Sequence, residues 1–276
     1  MVETSTPSWA PPILAGKDLA APSIFEPANL LREARRQKRL PEVSVPEICI
    51  LDPDGDILGT LRRAGRARAA PNWACYHTEL SEFAHAGERF GIIGCAVGAP
   101  FAVLLAEELF VSGCRLLVSV TSAGQIVSRG PTPYFVLIDR ALRDEGTSYH
   151  YLPPADFAHA DSRLVEAALG MLKTTGQLVY CGAAWTTDAP FRETPAAIER
   201  ARAHDVLAVE MEAAALYAFA TAKRRDVLCF AHVTNQMAVT EGDFEKGEDE
   251  GSAASLEIIA ATARAWRYVI EGKAPG

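Results

Sequence analysis

The sequence of 276 residues lacks most of the features that would place it in a functional class at a glance. Its six cysteines (Cys49, Cys75, Cys95, Cys114, Cys181, Cys229) stand singly, with no CxxC. A disulfide framework and a cysteine zinc site both need paired spacing, so neither is expected, and a reduced, cytoplasmic setting is. None of the six histidines forms a metal-spaced pair, and no metal is assigned. Basic charge is scarce: 27 Lys and Arg face 35 Asp and Glu, a net charge of −8. Broad electrostatic capture of nucleic acid or of an anionic membrane is excluded on that balance. The longest strongly hydrophobic run free of charge, Gly91 to Ala106, is broken by Gly94, Gly98 and Pro100 and falls short of the roughly 20 residues of a membrane helix. No basic residue precedes Lys17, so a secretory n-region is missing. The glycines from Gly91 to Gly98 fit neither the dinucleotide fingerprint nor the P-loop.

What is present reads as an ordinary globular core. Hydrophobic residues make up 49% and charged residues 22%, and a chain of this length buries roughly three-quarters of its unfolded surface. Seven of the 17 prolines fall within the first 46 residues. Residues 1–46 therefore read as an arm outside the core, with one short helix near Leu30 to Lys38, either loosely ordered or laid across a neighbouring subunit. From Glu47 onward short apolar runs alternate with helical stretches, and residues 47–276 read as one domain. Strands are expected at Ile48 to Leu51, Phe90 to Cys95, Arg115 to Val120, Tyr134 to Arg140, Gln177 to Cys181, Val206 to Val209 and Val227 to Val233. Helices are expected from Leu61, and at Phe101 to Val111, Pro195 to Ala203, Glu212 to Ala222 and Ala253 to Ile270. Continuous apolar strands between helices imply a sheet covered on both faces, hence a three-layer α/β/α fold.

Ligands of such folds sit at the carboxyl ends of strands. Four ends carry suggestive chemistry: Asp52 to Asp56, Ser119 to Gly124, Val209 to Glu212, and Thr234 to Gln236. Gly98-Ala99-Pro100 is a turn opening a helix, where backbone N–H groups can face an anion or a sugar. Thr121-Ser122-Ala123-Gly124 reads as a turn closing a buried strand, with the Ser122 hydroxyl and backbone donors able to hold an oxyanion. Val209-Glu210-Met211-Glu212 hands a strand over to an alanine-rich helix. A carboxylate held in a cleft there accepts both hydroxyls of a ribose cis-diol, and Met211 offers a soft apolar wall. His232 lies in an apolar strand and reads as a lone core histidine, and Glu241 to Glu250 as a solvated loop able to cover the site.

Val209-Glu210-Met211-Glu212-Ala213-Ala214 resembles the signature of the nucleoside phosphorylase superfamily. Three collinear stretches agree: Gly98-Ala99-Pro100 with Glu107-Glu108-Leu109, Thr121-Ser122-Ala123-Gly124, and Arg143-Asp144-Glu145-Gly146-Thr147-Ser148-Tyr149-His150-Tyr151, the last most like uridine-phosphorylase-type members. The resemblance spans roughly 47–270 and implies a central mixed, twisted sheet and cleavage of a nucleoside N-glycosidic bond. By it, Glu212 binds the ribose hydroxyls with Met211 and Glu210 beside it, and Gly98 and Gln236 line the substrate. Ser122, Thr121 and Gly55 form the phosphate or nucleophile pocket. Phe191 and Arg192 fall near the base-binding segment, for stacking and for the carbonyl oxygens of the base. Asn235 stands where purine-cleaving bacterial members carry an Asp that protonates the leaving base. An amide can only donate or accept a hydrogen bond, which suits a 6-oxopurine or a pyrimidine.

Two family arginines for phosphate are replaced, one by Ser119 and one by the acidic run Asp52 to Asp56. Arg62, Arg63, Arg66 and Arg68 are candidates to compensate. Inorganic phosphate is the first choice of nucleophile, as co-substrate and with no other cofactor. Water oriented by Asp56 is the alternative, and a catalytically weakened nucleoside-binding protein is a second class. A small-molecule nucleoside is the expected partner, and a homo-oligomer, dimer or hexamer, the expected assembly.

Overall fold

The computed structural model describes residues 11–237 and 241–272. In chain order its elements are α1 (Pro27–Lys38), β1 (Ile48–Asp52), α2 (Asp56–Arg63), β2 (Arg68–Ala69), β3 (Ser81–His85), β4 (Glu88–Gly94), α3 (Ala99–Val111), β5 (Leu116–Gln125), β6 (Tyr134–Asp144), β7 (Phe157–His159), α4 (Ser162–Leu172), β8 (Val179–Thr187), α5 (Pro195–Ala203), β9 (Val206–Glu210), α6 (Ala213–Lys223), β10 (Asp226–Asn235) and α7 (Ser252–Ile270). The first ten residues of the expected arm lie outside the described residues. Further along it, Leu31 and Ala34 of α1 are buried with Ala74, and Lys17 Nζ lies 2.7 Å from His150 Nδ1.

Strand β1 shows why the sheet is covered on both faces. All five of its residues are buried, and successive side chains point to opposite sides. Cys49 and Leu51 join a core with Leu105 and Leu109 of α3 and Leu216 and Phe219 of α6. Ile48 and Ile50 join a second core with Leu61 of α2, Leu164 of α4, and Ile258 and Trp266 of α7. Each fully buried Leu, Ile or Phe contributes about 1.5–3 kcal/mol of transfer free energy. The result is a three-layer α/β/α arrangement around one mixed sheet.

The sheet runs β2-β3-β4-β1-β5-β9-β8-β6-β10, and β10 also pairs with β5, so five strands close on themselves. Pairs β1–β4, β1–β5, β5–β10, β6–β8 and β8–β9 are parallel, whereas β5–β9 and β6–β10 are antiparallel. This closure crowds β5 between β9 and β10 at its carboxyl end.

Three departures from the sequence reading have local causes. Thr121 to Gly124 is not a terminal turn: β5 continues through it, because Ser122 pairs with His232 on one side and Gly124 with Val209 on the other. The second helix begins at Asp56 rather than Leu61, since Gly55 at φ 80° and the Asp52 carboxylate, accepting from Leu58 N–H at 2.8 Å, turn the chain straight into it. Helix α4 was absent from the sequence reading; Asp161 caps it by accepting from Arg163 N–H at 2.9 Å, and Leu164, Val165, Ala168 and Leu172 give it a buried face.

Candidate active site

Four chain segments meet at the carboxyl end of β5. Its neighbour β10 carries a register shift between Val233 and Asn235, which sets Asn235 opposite Gly124. A Cβ on Gly124 would stand 2.6 Å from Met237 Sδ, 3.2 Å from Val209 Cγ1 and 3.4 Å from Asn235 Oδ1. Side chains of β9, of β10 and of Met237 thus close in on Gly124, so the small residues here reflect crowding rather than turning.

Glu210 and Glu212 divide two tasks. Glu210 closes the start of α6: its Oε2 accepts from the N–H groups of Glu212 at 2.7 Å and Ala213 at 2.8 Å, and its Oε1 accepts from the Thr186 hydroxyl. Thr186 Oγ1 in turn accepts from Ala214 N–H at 2.9 Å. Every acceptor of Glu210 thus serves the protein. Glu212 is only 1% exposed, and its Oε1 accepts from Gly98 N–H at 2.7 Å, while the neighbouring Thr121 hydroxyl donates to Ser122 O at 3.4 Å. Its Oε2 is buried with no partner. Burial first, and the Glu210 carboxylate next, hold the Glu212 carboxyl well above the usual carboxylate range. A buried acceptor left unmatched is costly unless something arrives to use it, and a sugar hydroxyl is a fitting donor. Gly98, at φ 94°, takes a conformation that side chains rarely adopt and brings its N–H onto the carboxylate.

The Ser122 segment, expected to form the phosphate or nucleophile pocket, is built differently from a bare anion pocket. Ser122 donates its backbone N–H to Asp54 Oδ2 and its hydroxyl to Asp54 Oδ1, both at 2.7 Å. Asp56 forms an ion pair with Lys246, from the loop after β10. Asp52 is buried and holds the turn; burial first, with the charges of Asp54 and Asp56, pushes it up to about 7. Ser119 Oγ is buried without a partner. The arginines expected to compensate are turned elsewhere: Arg62 to Glu79 and Ser81, Arg63 to Thr60, Arg66 to His85, while Arg68 lies exposed in β2. Sequence reasoning missed Lys246, whose acidic surroundings from Glu241 to Glu250 gave no signal for a cation delivered inward.

At the end of β10, Asn235 is buried, its Nδ2 donating to Thr234 Oγ1 at 3.1 Å and its Oδ1 accepting from Met237 N–H at 2.9 Å. Gln236 is exposed and Met211 half-buried. Phe191 and Arg192 sit on a short 3-10 turn, Phe191 99% exposed, and among the described residues no hydrogen bond or ion pair joins either to Glu212, Ser122 or Asn235. His232 is a core histidine, stacked on Phe135 with centroids 4.4 Å apart and held down to about 4 chiefly by burial. Among the described residues no cluster of His, Cys, Asp and Glu is arranged to hold a metal, and no helix is long and apolar enough to cross a membrane.

Known proteins are similar to this chain. A DeoD-type purine nucleoside phosphorylase of Brevibacillus brevis is 27% identical over 175 residues, 63% of this chain and 73% of that one. The corresponding enzyme of Hahella chejuensis is 32% identical over 136 residues, 49% of this chain and 58% of that one. The uridine phosphorylase of Vibrio fischeri, solved with 6-hydroxy-1-naphthoic acid, superposes with a TM-score of 0.65 at 18% identity, covering 83% of this chain and 92% of its own, and so shares the fold. The model of the phosphorylase superfamily matches residues 47–267, which span all four converging segments, and the chain belongs to that superfamily.

Proposed function

We propose that this chain cleaves the N-glycosidic bond of a nucleoside by phosphorolysis, with a pyrimidine or 6-oxopurine base. The observation that carries the reading is the buried, unpartnered Oε2 of Glu212, whose Oε1 holds Gly98 N–H and whose preceding strand β9 pairs through Val209 with Gly124 of the Ser122 strand. A cis-diol placed on Glu212 fixes the ribose while positive charge grows on the sugar as the base leaves. A nearby carboxylate favours that charge, and the fixed geometry removes the entropy cost of alignment. Asn235, neutral and already oriented by Met237 N–H, hydrogen-bonds a leaving base without protonating it. The reading uses inorganic phosphate as co-substrate and no metal or organic cofactor. The purine-cleaving and uridine-cleaving names among the relatives support the reaction class. The reading includes a homo-oligomer, a dimer or hexamer, as the assembly.

A second reading has one specific observation in its favour. The donors of Ser122 are taken by the Asp54 carboxylate, and a pocket so occupied suits water better than a dianion. Incubation with inosine, guanosine, uridine and adenosine, with and without phosphate, followed by chromatography of base and sugar products, decides between them. Free base and a pentose 1-phosphate formed only with phosphate supports phosphorolysis. Free base and ribose formed at equal rates without phosphate supports hydrolysis. Binding with no free base from any nucleoside overturns both.

A further inference from the structure

We propose that Asp54 is a tethered occupant of the anion site and sets how tightly this chain binds phosphate. The inference rests on the reading of the Ser122 segment as the nucleophile pocket. Asp54 Oδ2 and Oδ1 accept from the Ser122 N–H and Oγ–H at 2.7 Å each, so one carboxylate spans two donors as two oxygens of a phosphate would. The other two acids at this end of β1 are committed elsewhere. Asp52 is buried and accepts from Leu58 and Gly55 N–H groups at 2.8 and 3.2 Å, and Asp56 is tied to Lys246. Asp54 alone of the three is exposed and faces Ser122.

A phosphate that takes the Ser122 donors must displace this carboxylate, since the two cannot share the same N–H and O–H, and like charge opposes them side by side. Displacement is feasible because Asp54 is exposed and regains water when it turns away. The occupant is covalently tethered, so its effective concentration is of the order of millimolar or higher, and an external anion competes against that. A cation beside this exchange is Lys246, which feels the charges of both Asp54 and Asp56. Its loop is pinned on both sides: Glu245 N–H donates to Thr234 O at 2.8 Å, and Ser252 Oγ donates to Asp56 O at 3.2 Å. Lys246 is therefore held in place while Asp54 moves. Asp54 is thus a specificity-determining residue: its presence makes phosphate entry conditional, and its removal frees both donors.

The test is phosphate binding by calorimetry on the full chain, with no nucleoside present, for wild type, Asp54→Ala and Asp54→Ala/Ser122→Ala. Asp54 is exposed, so its truncation leaves the fold intact, and melting temperatures check this. Freeing two charge-assisted bonds predicts a Kd for phosphate about tenfold or more lower in Asp54→Ala than in wild type. Adding Ser122→Ala removes the hydroxyl but keeps the backbone N–H, and should take back part of that gain. Two results overturn the proposal: Asp54→Ala binding no tighter than wild type, or the double variant keeping the full gain, which would mean that only net charge had changed. Because nucleoside is absent, the outcome is independent of turnover. A tenfold gain in a chain that cleaves no nucleoside would leave Asp54 in this role and remove the proposed activity.

Discussion

Replacing Glu212 by glutamine separates the chemical role of this carboxylate from its structural cost. The substitution keeps the shape, and an amide oxygen can still accept from Gly98 N–H, which lies 2.7 Å from Oε1. The other end changes from the unpartnered acceptor Oε2 to an NH₂ donor, so the ribose diol meets a donor where it needs acceptors. A hydrogen bond to a charged group contributes about 1.5–3 kcal/mol, so losing the one made by Oε2 predicts roughly a 10- to 10²-fold fall in kcat/KM. Stability should move the opposite way. In the folded chain, burial and Glu210 raise the Glu212 pKa above its ordinary 4.5. The group therefore favours folding most below the unfolded value, and this contribution is lost as pH rises through the folded one. Glutamine cannot ionise, so the Tm of the variant should exceed that of wild type by a margin that grows as pH is raised above the ordinary carboxylate range. The assay is kcat/KM on inosine and uridine with saturating phosphate, with melts across the same pH series. Activity within about threefold of wild type would refute the ribose assignment. A margin that shrinks with rising pH would refute the electrostatic account.

Three further outcomes follow from the geometry. Asn235→Asp installs an acid in a buried site, where desolvation favours the protonated form, and kcat/KM for adenosine relative to inosine should rise by about tenfold or more; an unchanged ratio would place the base elsewhere. Thr186→Val leaves Glu210 Oε1 and Ala214 N–H without their shared partner, and urea unfolding should register a loss of roughly 2–4 kcal/mol, whereas a neutral effect would show that Glu210 does not anchor α6. Gly124→Ala drives a methyl against Met237, Val209 and Asn235, and should cost about 1–3 kcal/mol of stability together with a fall in kcat/KM; a variant equal to wild type in both would mean that the crevice is looser than described.

The parts of this fold carried by local pattern were legible in the chain alone. The unbroken apolar run Ile48 to Leu51 announced a strand buried on both faces, and Pro195 to Ala203 announced its helix to the residue. Acidic residues are ordinary at a helix start, and Glu212 could be singled out only because Ala213 to Ala215 imply close packing there and the stretch resembles the superfamily signature. What could not be read depends on partners distant in sequence. The hydroxyl-rich Thr121 to Gly124 looked like a turn, yet its smallness answers to strands more than 80 residues away. The seating of Asp54 on Ser122 joins positions 68 apart, and that of Lys246 on Asp56 positions 190 apart. Such pairings leave no periodic trace, and the acidic run at Asp52 to Asp56 does not itself say which carboxylate turns inward.

The most direct measurement is a crystal structure with a slowly cleaved nucleoside soaked into the site. The sugar's 2′- and 3′-hydroxyls are expected within hydrogen-bond distance of the Glu212 carboxylate, with the base beside Asn235 and the opposite face of the ring turned to Ser122. A sugar seated away from Glu212, with Oε2 still buried and unmatched, would contradict the account at its root.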